Sequence, residues 1–237
     1  MEGNMFFDHM VIFEKRDLEN CVTLLKESGM KAGIGGRHEN WGTENALLYF
    51  GLSYVEWLSV FDLETARASD NPLVQKLLNS PNGPGHFAIR TDNMQRLISR
   101  LDQAGLRTVH LPGERRRADG RLLQWELLFV DGEQEYWPFF IKWNEEDDER
   151  LNDLESSGWT GWQESSDLKI EHIEIAVGNA ARTAQVWSDL LDIPRLENEG
   201  CSELLKLEGG NIRLVSMPDG RTTGPIELLL SNGQVIK

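Results

Sequence analysis

The sequence predicts an α+β fold made of repeated βαβββ units whose strands form cup-shaped mixed sheets. Three observations predict this fold. A short apolar strand with a histidine near its start occurs three times, at His9, His86 and His172. After a polar break, each copy is followed by a stretch of helical period, and apolar strands then complete the unit. A pattern that returns three times indicates one supersecondary unit present in three copies.

The first unit begins with a strand at residues 6–13, and Asp17 is the predicted N-cap of the helix that follows. A glycine-rich loop over residues 33–43 comes next. Strands are then predicted at residues 46–50 and 54–61, because apolar and aromatic runs flank a tight turn. The strand that should follow the helix is not identifiable in this unit.

The second unit opens with the His86 strand and continues with a helix over residues 93–105. A basic loop, Arg115 to Arg117, follows and ends in a turn. Residues 122–130 and 136–143 are predicted as paired strands.

The third unit opens with the His172 strand and has a helix over residues 180–191. Its predicted strands lie at residues 202–207, 211–216 and 225–230. We take the last of these as the final strand of the unit.

The repeats and one change in composition predict the domain organisation. Residues 1–144 should form a domain of two paired units, and residues 168–237 a smaller third unit. Between them, residues 145–167 begin with five consecutive acidic side chains. Such a run is typical of a solvated, self-repelling spacer, so we predict an acidic linker.

Composition excludes several classes of function. The formal net charge is −15, which repels nucleic-acid backbones and anionic lipid. The two cysteines, Cys21 and Cys201, have no spacing typical of a metal or redox site. No apolar run approaches the length of a membrane span, and the N-terminus lacks a signal-peptide pattern. We therefore expect a cytoplasmic protein that binds a small molecule.

The repeat brings chemically capable side chains to equivalent strand positions. Opening strands supply His9 and His86, and the last strand of the first unit supplies Glu56, where the second unit has Pro138. If neighbouring units pair edge to edge, His9, Glu56 and His86 converge. Two imidazoles and one carboxylate with open positions suit a divalent transition metal. Each residue alone has a structural alternative, such as a histidine bonded to backbone.

Several motifs together resemble the vicinal oxygen chelate superfamily, and specifically its glyoxalase-like branch of bacterial proteins. They lie within residues 6–143, and the third unit shares only the general pattern. The motifs are the loop and strand at residues 35–48, Tyr54-Val55-Glu56, the strand at residues 86–92, residues 119–125 with Trp125, and residues 137–141.

The resemblance implies a metal-dependent enzyme of lyase, isomerase or dioxygenase type. Its substrate would be a small oxygenated metabolite chelated to iron, manganese, zinc, nickel or cobalt, held here by His9, Glu56 and His86. Pro138 departs from the four-ligand glyoxalase pattern. The alternative is a metal-free protein that sequesters a small molecule, as resistance proteins of the superfamily do. A scaffold acting through the acidic segment would lack an enclosed pocket.

The remaining candidates surround the predicted metal. His38 is the candidate general acid or base, together with Glu56, because an imidazole titrates near neutral pH. Arg117 can hold a substrate carboxylate or enolate in bidentate geometry, although it can equally flank a hairpin turn. The predicted substrate-binding residues are Arg37, Trp41, Thr43, Asn45, Arg117 and Trp125.

The third unit predicts a homodimer. His172 and Glu227 stand at the metal-type positions, but the chain has no fourth unit to complete a site. A second chain is the simplest source of the missing copy, and two-fold dimers are common. Of two versions, we favour the one in which these two residues make ordinary hydrogen bonds rather than a second site.

Overall fold

The computed structural model describes residues 4–117, 119–131, 135–159, 168–197, 202–217 and 223–237. Within these residues, eight strands of the first two units close into a barrel. They are β1 (Met5–Phe13), β2 (Gly33–His38), β3 (Thr43–Phe50), β4 (Ser53–Val60), β5 (Gly83–Thr91), β6 (Arg107–Arg116), β7 (Leu122–Asp131) and β8 (Phe139–Trp143).

The barrel is built from two units related by an approximate two-fold axis. Its strand order is β1-β4-β3-β2-β6-β7-β8-β5, with β1 parallel to β4 and β5 parallel to β8. Strands β1 and β5 join the units in antiparallel pairing. In that pairing His9 lies opposite Ala88 and His86 lies opposite Val11. This reciprocal register makes His9 and His86 structurally equivalent.

Six helices accompany the sheets in the described residues. Asparagine or aspartate caps most of them through a side-chain oxygen that accepts a backbone N–H, which is the preferred capping chemistry. The helices are α1 (Leu18–Glu27), α2 (Leu63–Ala68), α3 (Pro72–Asn79), α4 (Met94–Gln103), α5 (Asp147–Ser156) and α6 (Ala180–Leu191).

The third unit forms a separate six-stranded sheet, which we call the C-terminal sheet. Its order is β10-β11-β12-β9-β13-β14. The strands are β9 (Ile170–Val177), β10 (Arg195–Leu196), β11 (Ser202–Leu205), β12 (Asn211–Ser216), β13 (Gly224–Leu230) and β14 (Val235–Ile236).

The topology corrects the assignment of the last strand in the third unit. Strand β12 runs parallel to β9, as β4 does to β1, so β12 is the final strand of the unit. Strand β13 runs antiparallel to β9 and takes the place that β5 has beside β1. Glu227 on β13 is therefore equivalent to a first-strand residue such as His86, and not to Glu56.

One hydrophobic core joins the barrel to the C-terminal sheet. Trp187 on α6 is fully buried, with its ring centroid 6.0 Å from Phe87 and 6.4 Å from Trp137. The Phe7 N–H donates to the Glu208 carbonyl at 2.9 Å, which bridges the two sheets. Burying a large apolar side chain contributes about 1.5–3 kcal/mol, so this contact is a substantial one. The domain limits at residues 144 and 168 stay a prediction.

Two segments differ from their sequence interpretation. The glycine-rich stretch contains strand β2 and a 3₁₀ turn over Glu39–Trp41. Strand β2 is the strand of the first unit that could not be identified from the sequence. The predicted acidic linker contains α5, whose Arg150 stacks on Trp143 at 4.2 Å and whose Leu154 is buried. Residues 160–167 of that linker, and Cys201, lie outside the described residues.

Among the helices that the structure describes, none has the length and apolar character needed to cross a membrane.

Candidate functional site

The barrel strands and helix α3 line a cavity that is partly open to solvent. Its walls are aromatic and aliphatic, with a few polar groups that converge, which is the usual composition of a small-molecule site. Seven residues chosen from the sequence line this cavity: His9, His38, Trp41, Thr43, Asn45, Glu56 and Trp125.

His9 is the most firmly positioned polar group in the cavity. It is 3% exposed, and its Nδ1 lies 2.7 Å from the carboxylate of Asp8. The ring stacks on Tyr54 with centroids 4.4 Å apart. Asp8 Oδ2 also accepts from Arg90 and from the indole of Trp143, each at 3.2 Å. These contacts fix the His9 ring and its tautomer.

Asp8 remains ionised despite being fully buried. Burial by itself would raise the pKa of this carboxyl. The hydrogen bond with His9 and the charges of His9, Arg150 and Arg90 outweigh burial and hold the Asp8 pKa well below its usual range. Because an ionised carboxylate accepts only, the Nδ1 of His9 carries a proton, and Nε2 is the ring nitrogen that faces the cavity.

Glu56 faces His9 Nε2. Its Oε2 lies 3.6 Å from His9 Nε2, and its Oε1 accepts from the Asn45 amide at 2.5 Å. Asn45 Oδ1 in turn accepts from Arg115 Nη1 at 2.9 Å. A carboxylate oxygen beside an imidazole nitrogen makes a point in the cavity wall that is rich in acceptor atoms. Such a point attracts a proton or a cation.

Arg115 supplies the positive charge of the site. It is 4% exposed, and no carboxylate in the described part of the chain lies within ion-pair distance of it. An unpaired buried charge is costly, so a guanidinium in this position calls for an anionic ligand. Gly35 makes room for it, because a Cβ there would overlap the guanidinium.

His38 lies in the cavity as a neutral imidazole. It is 5% exposed, and its Nδ1 lies 3.0 Å from the Thr43 hydroxyl. Burial, and next the charge of Arg115, lower the pKa of His38 to about 3. At neutral pH its ring therefore offers hydrogen bonds without charge, and the role of general acid or base predicted for it stays a prediction.

Trp41 and Trp125 form the aromatic wall next to His38. Their ring centroids lie 6.2 Å apart, and each is within 6 Å of the His38 ring. Trp41 is held in the 3₁₀ turn that Gly42 terminates with φ of 66°, a left-handed conformation that glycine adopts without strain. A planar or branched apolar ligand fits such a wall.

His86 is turned away from the cavity. Its Nδ1 accepts the Phe87 N–H at 3.0 Å and lies 3.2 Å from the Tyr136 hydroxyl, in a groove that Lys76 also lines. Because a backbone N–H can only donate, the ring proton of His86 is assigned to Nε2. Burial, and next the charge of Lys76, hold its pKa well below the usual range.

These contacts allow a test of the predicted metal centre. His9 Nε2 and Glu56 Oε2 face one space, but in His86 one ring nitrogen is an occupied acceptor and the other is protonated. The described residues contain no group of three His, Cys, Asp or Glu side chains arranged to hold a metal ion. His86 thus does not fit as the third ligand in this conformation. Binding by His9, Glu56 and His86 stays a prediction that requires the His86 ring to turn.

Two other predicted binding residues lie outside the cavity. Arg37 is exposed, pairs with Glu44 at 3.2 Å and covers the ring of Phe61. Arg117 is bound by the carboxylates of Asp119 and Asp153. That Arg37 and Arg117 bind substrate therefore stays a prediction.

The cavity residues that were not identified from the sequence include Tyr54, Asn71, Arg115 and Phe139. Arg115 lies two residues from Arg117, in strand β6 rather than in a loop, and strand alternation would have placed it facing inward. Phe139 lies opposite Ala88, as Glu56 lies opposite Val11. The register thus makes Phe139, not Pro138, the equivalent of Glu56, and that position has no ionic group.

Comparison with known proteins gives a family and a fold. The model of the family described as glyoxalase-like domain matches residues 7–191. A hypothetical protein from Staphylococcus aureus superimposes with a TM-score of 0.81 at 20% identity, covering 95% of this chain and 90% of that one. A mutant of 4-hydroxymandelate synthase from Streptomyces coelicolor gives 0.62 at 13% identity, covering 97% and 71%. No curated protein matches this sequence.

Proposed function

This chain belongs to the glyoxalase-like domain family, and we propose that it is an isomerase or lyase that moves a proton on a small oxygenated acid. Arg115 binds the anionic group of the substrate. His9 is the general base, Asp8 orients it, and Glu56 lies beside the reacting centre. The one observation that carries this proposal is the buried Arg115 guanidinium, without a carboxylate partner in the described residues, in the same cavity as Nε2 of His9.

The proposed step balances within the cavity. His9 Nε2 takes a proton from a carbon next to a carbonyl group, and the C–H electron pair moves to the carbonyl oxygen as an enolate. The protonated ring then lies between two carboxylates, Asp8 at 2.7 Å and Glu56 at 3.6 Å, which stabilise its charge. Arg115 stabilises the enolate oxygen. Return of the proton to the same or a neighbouring carbon completes an epimerisation or isomerisation.

A second candidate is the metal-assisted reaction predicted from the sequence. The observation that favours it is the Asp8–His9 contact, since ligating histidines commonly donate their second ring N–H to a carboxylate. His9 Nε2 and Glu56 Oε2 would hold the divalent ion, and His86 would join them only after turning. When bound, the ion would polarise a substrate carbonyl as a Lewis acid. Iron, manganese, zinc, nickel and cobalt all accept such ligands.

An exchange experiment tests the proposal. The untagged protein is incubated in D₂O with small oxo acids, and loss of the C–H signal next to the carbonyl is followed by NMR. We expect His9→Gln to slow exchange roughly a hundredfold or more, because a general base is lost. No exchange above the buffer rate with any acid, while the acids still bind, would instead indicate a protein that only sequesters its ligand.

His86→Gln separates the two chemical candidates. For proton transfer by His9 alone, this variant should exchange at the wild-type rate, with or without a chelator. For a three-ligand metal site, it should be as slow as His9→Gln, and chelator followed by one divalent metal should remove and restore exchange. Elemental analysis of the same samples gives the metal content directly.

The predicted homodimer stays a prediction. In the described residues the C-terminal sheet ends in β10 and β14, and each has two residues. Edge strands this short offer little backbone for pairing with another chain. A dimer would therefore pack through another surface of the third unit, and light scattering at micromolar concentration tests for it.

A further inference from the structure

We infer that Asn71 forms a second polar subsite in the barrel cavity and binds an uncharged acceptor oxygen of the ligand. This inference rests on the proposed function, because it takes the ligand to be the small acid held by Arg115. It defines the substrate class further, as monoanionic acids that carry a separate keto or hydroxyl oxygen.

The orientation of the Asn71 amide is fixed by its capping role. Its Oδ1 accepts the Leu73 N–H at 2.9 Å and caps helix α3. The reverse orientation would place an NH₂ group against a backbone N–H, so two donors would face each other. The side chain is therefore held with its NH₂ group on the side away from the helix.

That NH₂ group has no partner within the described residues. Asn71 is fully buried, its Nδ2 makes no hydrogen bond, and the residue lines the cavity with Leu73 and Val74. A buried donor without an acceptor destabilises the fold, so the chain keeps an unsatisfied group in the wall of a binding site. A ligand oxygen would satisfy it.

The charges of the cavity select an uncharged oxygen at this position. Arg115 is the one arginine or lysine side chain among the described lining residues, and the buried His38 is neutral. Glu56 adds a negative charge to the same cavity. A second carboxylate on the ligand would have no cation to meet, whereas a keto or hydroxyl oxygen needs only the amide donor.

Matched acid pairs provide the probes. Pyruvate, acetoacetate and levulinate carry a ketone at increasing distance from the carboxylate, and propionate, butyrate and valerate are the same chains without the ketone. The measured quantity is the ratio of dissociation constants within each pair, from calorimetry or NMR titration. This ratio cancels the contribution of the shared carboxylate. We expect wild type to bind at least one oxo acid about tenfold more tightly than its parent acid.

Asn71→Asp is the informative variant. Aspartate has the same shape and is an equally good N-cap, but it replaces the free NH₂ with an acceptor. The preference for the oxo acid should disappear. The matched control is Asn93→Asp, because Asn93 caps α4 in the same way, through the Arg96 N–H, at an exposed site. This control should keep the wild-type ratio, and thermal unfolding should show both variants folded.

The outcomes distinguish this inference from the proposed function. If Asn71→Asp keeps the oxo-acid preference, or wild type has none, the Asn71 subsite is wrong while the anion site at Arg115 stands. If Arg115→Gln binds the parent acids as tightly as wild type, or no acid of the six binds wild type, the proposed function fails and this inference fails with it.

Discussion

The barrel and the C-terminal sheet carry polar side chains at the same three strand positions but use them differently. Strand register aligns His9, Glu56 and His86 of the barrel with His172, Arg213 and Glu227 of the C-terminal sheet. In the barrel the middle position is a buried carboxylate that faces His9 Nε2. In the C-terminal sheet it is an arginine, half exposed and 3.8 Å from Glu174.

The difference shows what closure of the barrel contributes. In the C-terminal sheet, Glu227 pairs with Lys237 at 2.9 Å, and His172 lies 3.9 Å from Glu171. Both contacts are local and solvated. In the barrel the second unit covers the first, so polar groups lose water and are satisfied only by one another or by a ligand. The same strand positions thus become a site only where two units enclose them.

Arg115→Gln should have the largest effect on ligand binding, and it tests whether the closed barrel forms the site. Loss of the buried guanidinium should weaken carboxylate binding about a hundredfold, because hydrogen bonds to charged groups are the strong ones. The free energy of unfolding should fall by no more than about 1 kcal/mol, since removing an uncompensated buried charge is often neutral. Calorimetric titration and denaturant unfolding measure the two quantities.

Arg213→Gln, at the position in the C-terminal sheet that corresponds to Glu56, is the control. It should leave carboxylate affinity unchanged. A loss of several kcal/mol of stability in Arg115→Gln, with affinity preserved, would make Arg115 a structural residue.

Gly35→Ala tests whether the close approach to Arg115 is needed. An added Cβ would overlap the Arg115 guanidinium and the Asn45 amide, and would lie 2.6 Å from Leu47 Cδ1. We expect a loss of about 1–3 kcal/mol in stability from overpacking, together with weaker acid binding. Gly178→Ala, in the third unit, should change neither, because nothing lies within 4 Å of its Cβ position. Equal stability of the two variants would show that the barrel wall yields without cost.

Much of the fold and part of the site could be predicted from the sequence. Repeated opening strands predicted the α+β fold and the family, and both are confirmed. The positions of His9 and Glu56 in the repeated unit predicted that they converge, and their side chains lie 3.6 Å apart. The orientation of His86 depends on Tyr136, and the position of Arg115 depends on how far β6 extends. These are long-range contacts that no local pattern reports.

The acidic segment shows the same limit. Its charges indicated a solvated linker, yet α5 places Arg150 against Trp143 and Asp147 against Arg90. Only the folded barrel provides these partners. Asn71 was missed for a related reason, since an N-cap is recognisable in sequence but its burial in a cavity is not.

Acid titration should separate His38 from His172. The pKa of His38 is lowered from its ordinary value of 6.5 to about 3 in the fold, so the unfolded chain binds the proton first. Its contribution to stability is complete above about pH 6.5 and is lost as pH falls toward 3. The slope from one such group is about 1.4 kcal/mol per pH unit.

The free energy of unfolding, measured by denaturant titration at each pH, should therefore decline less steeply between pH 6 and 4 in His38→Gln than in wild type. The slope should be smaller by up to about 1.4 kcal/mol per pH unit. His172→Gln should flatten it less, because burial lowers the pKa of this partly buried histidine while Glu171 raises it. Buried His86, whose pKa is also lowered, leaves a residual slope in both variants. Identical curves for His38→Gln and wild type would mean that His38 titrates normally.

The smallest expected effect belongs to Glu227→Gln. Its partner Lys237 is 67% exposed, and exposed ion pairs contribute about 0–1 kcal/mol. The loss of stability should lie within that range and should shrink in high salt, because screening already weakens the pair. Exchange and acid binding should not change. A large loss of exchange or of acid binding would mean that Glu227 and its neighbours in the C-terminal sheet contribute to a site. If that loss comes with a change in molecular mass by light scattering, the site lies between two chains of a dimer.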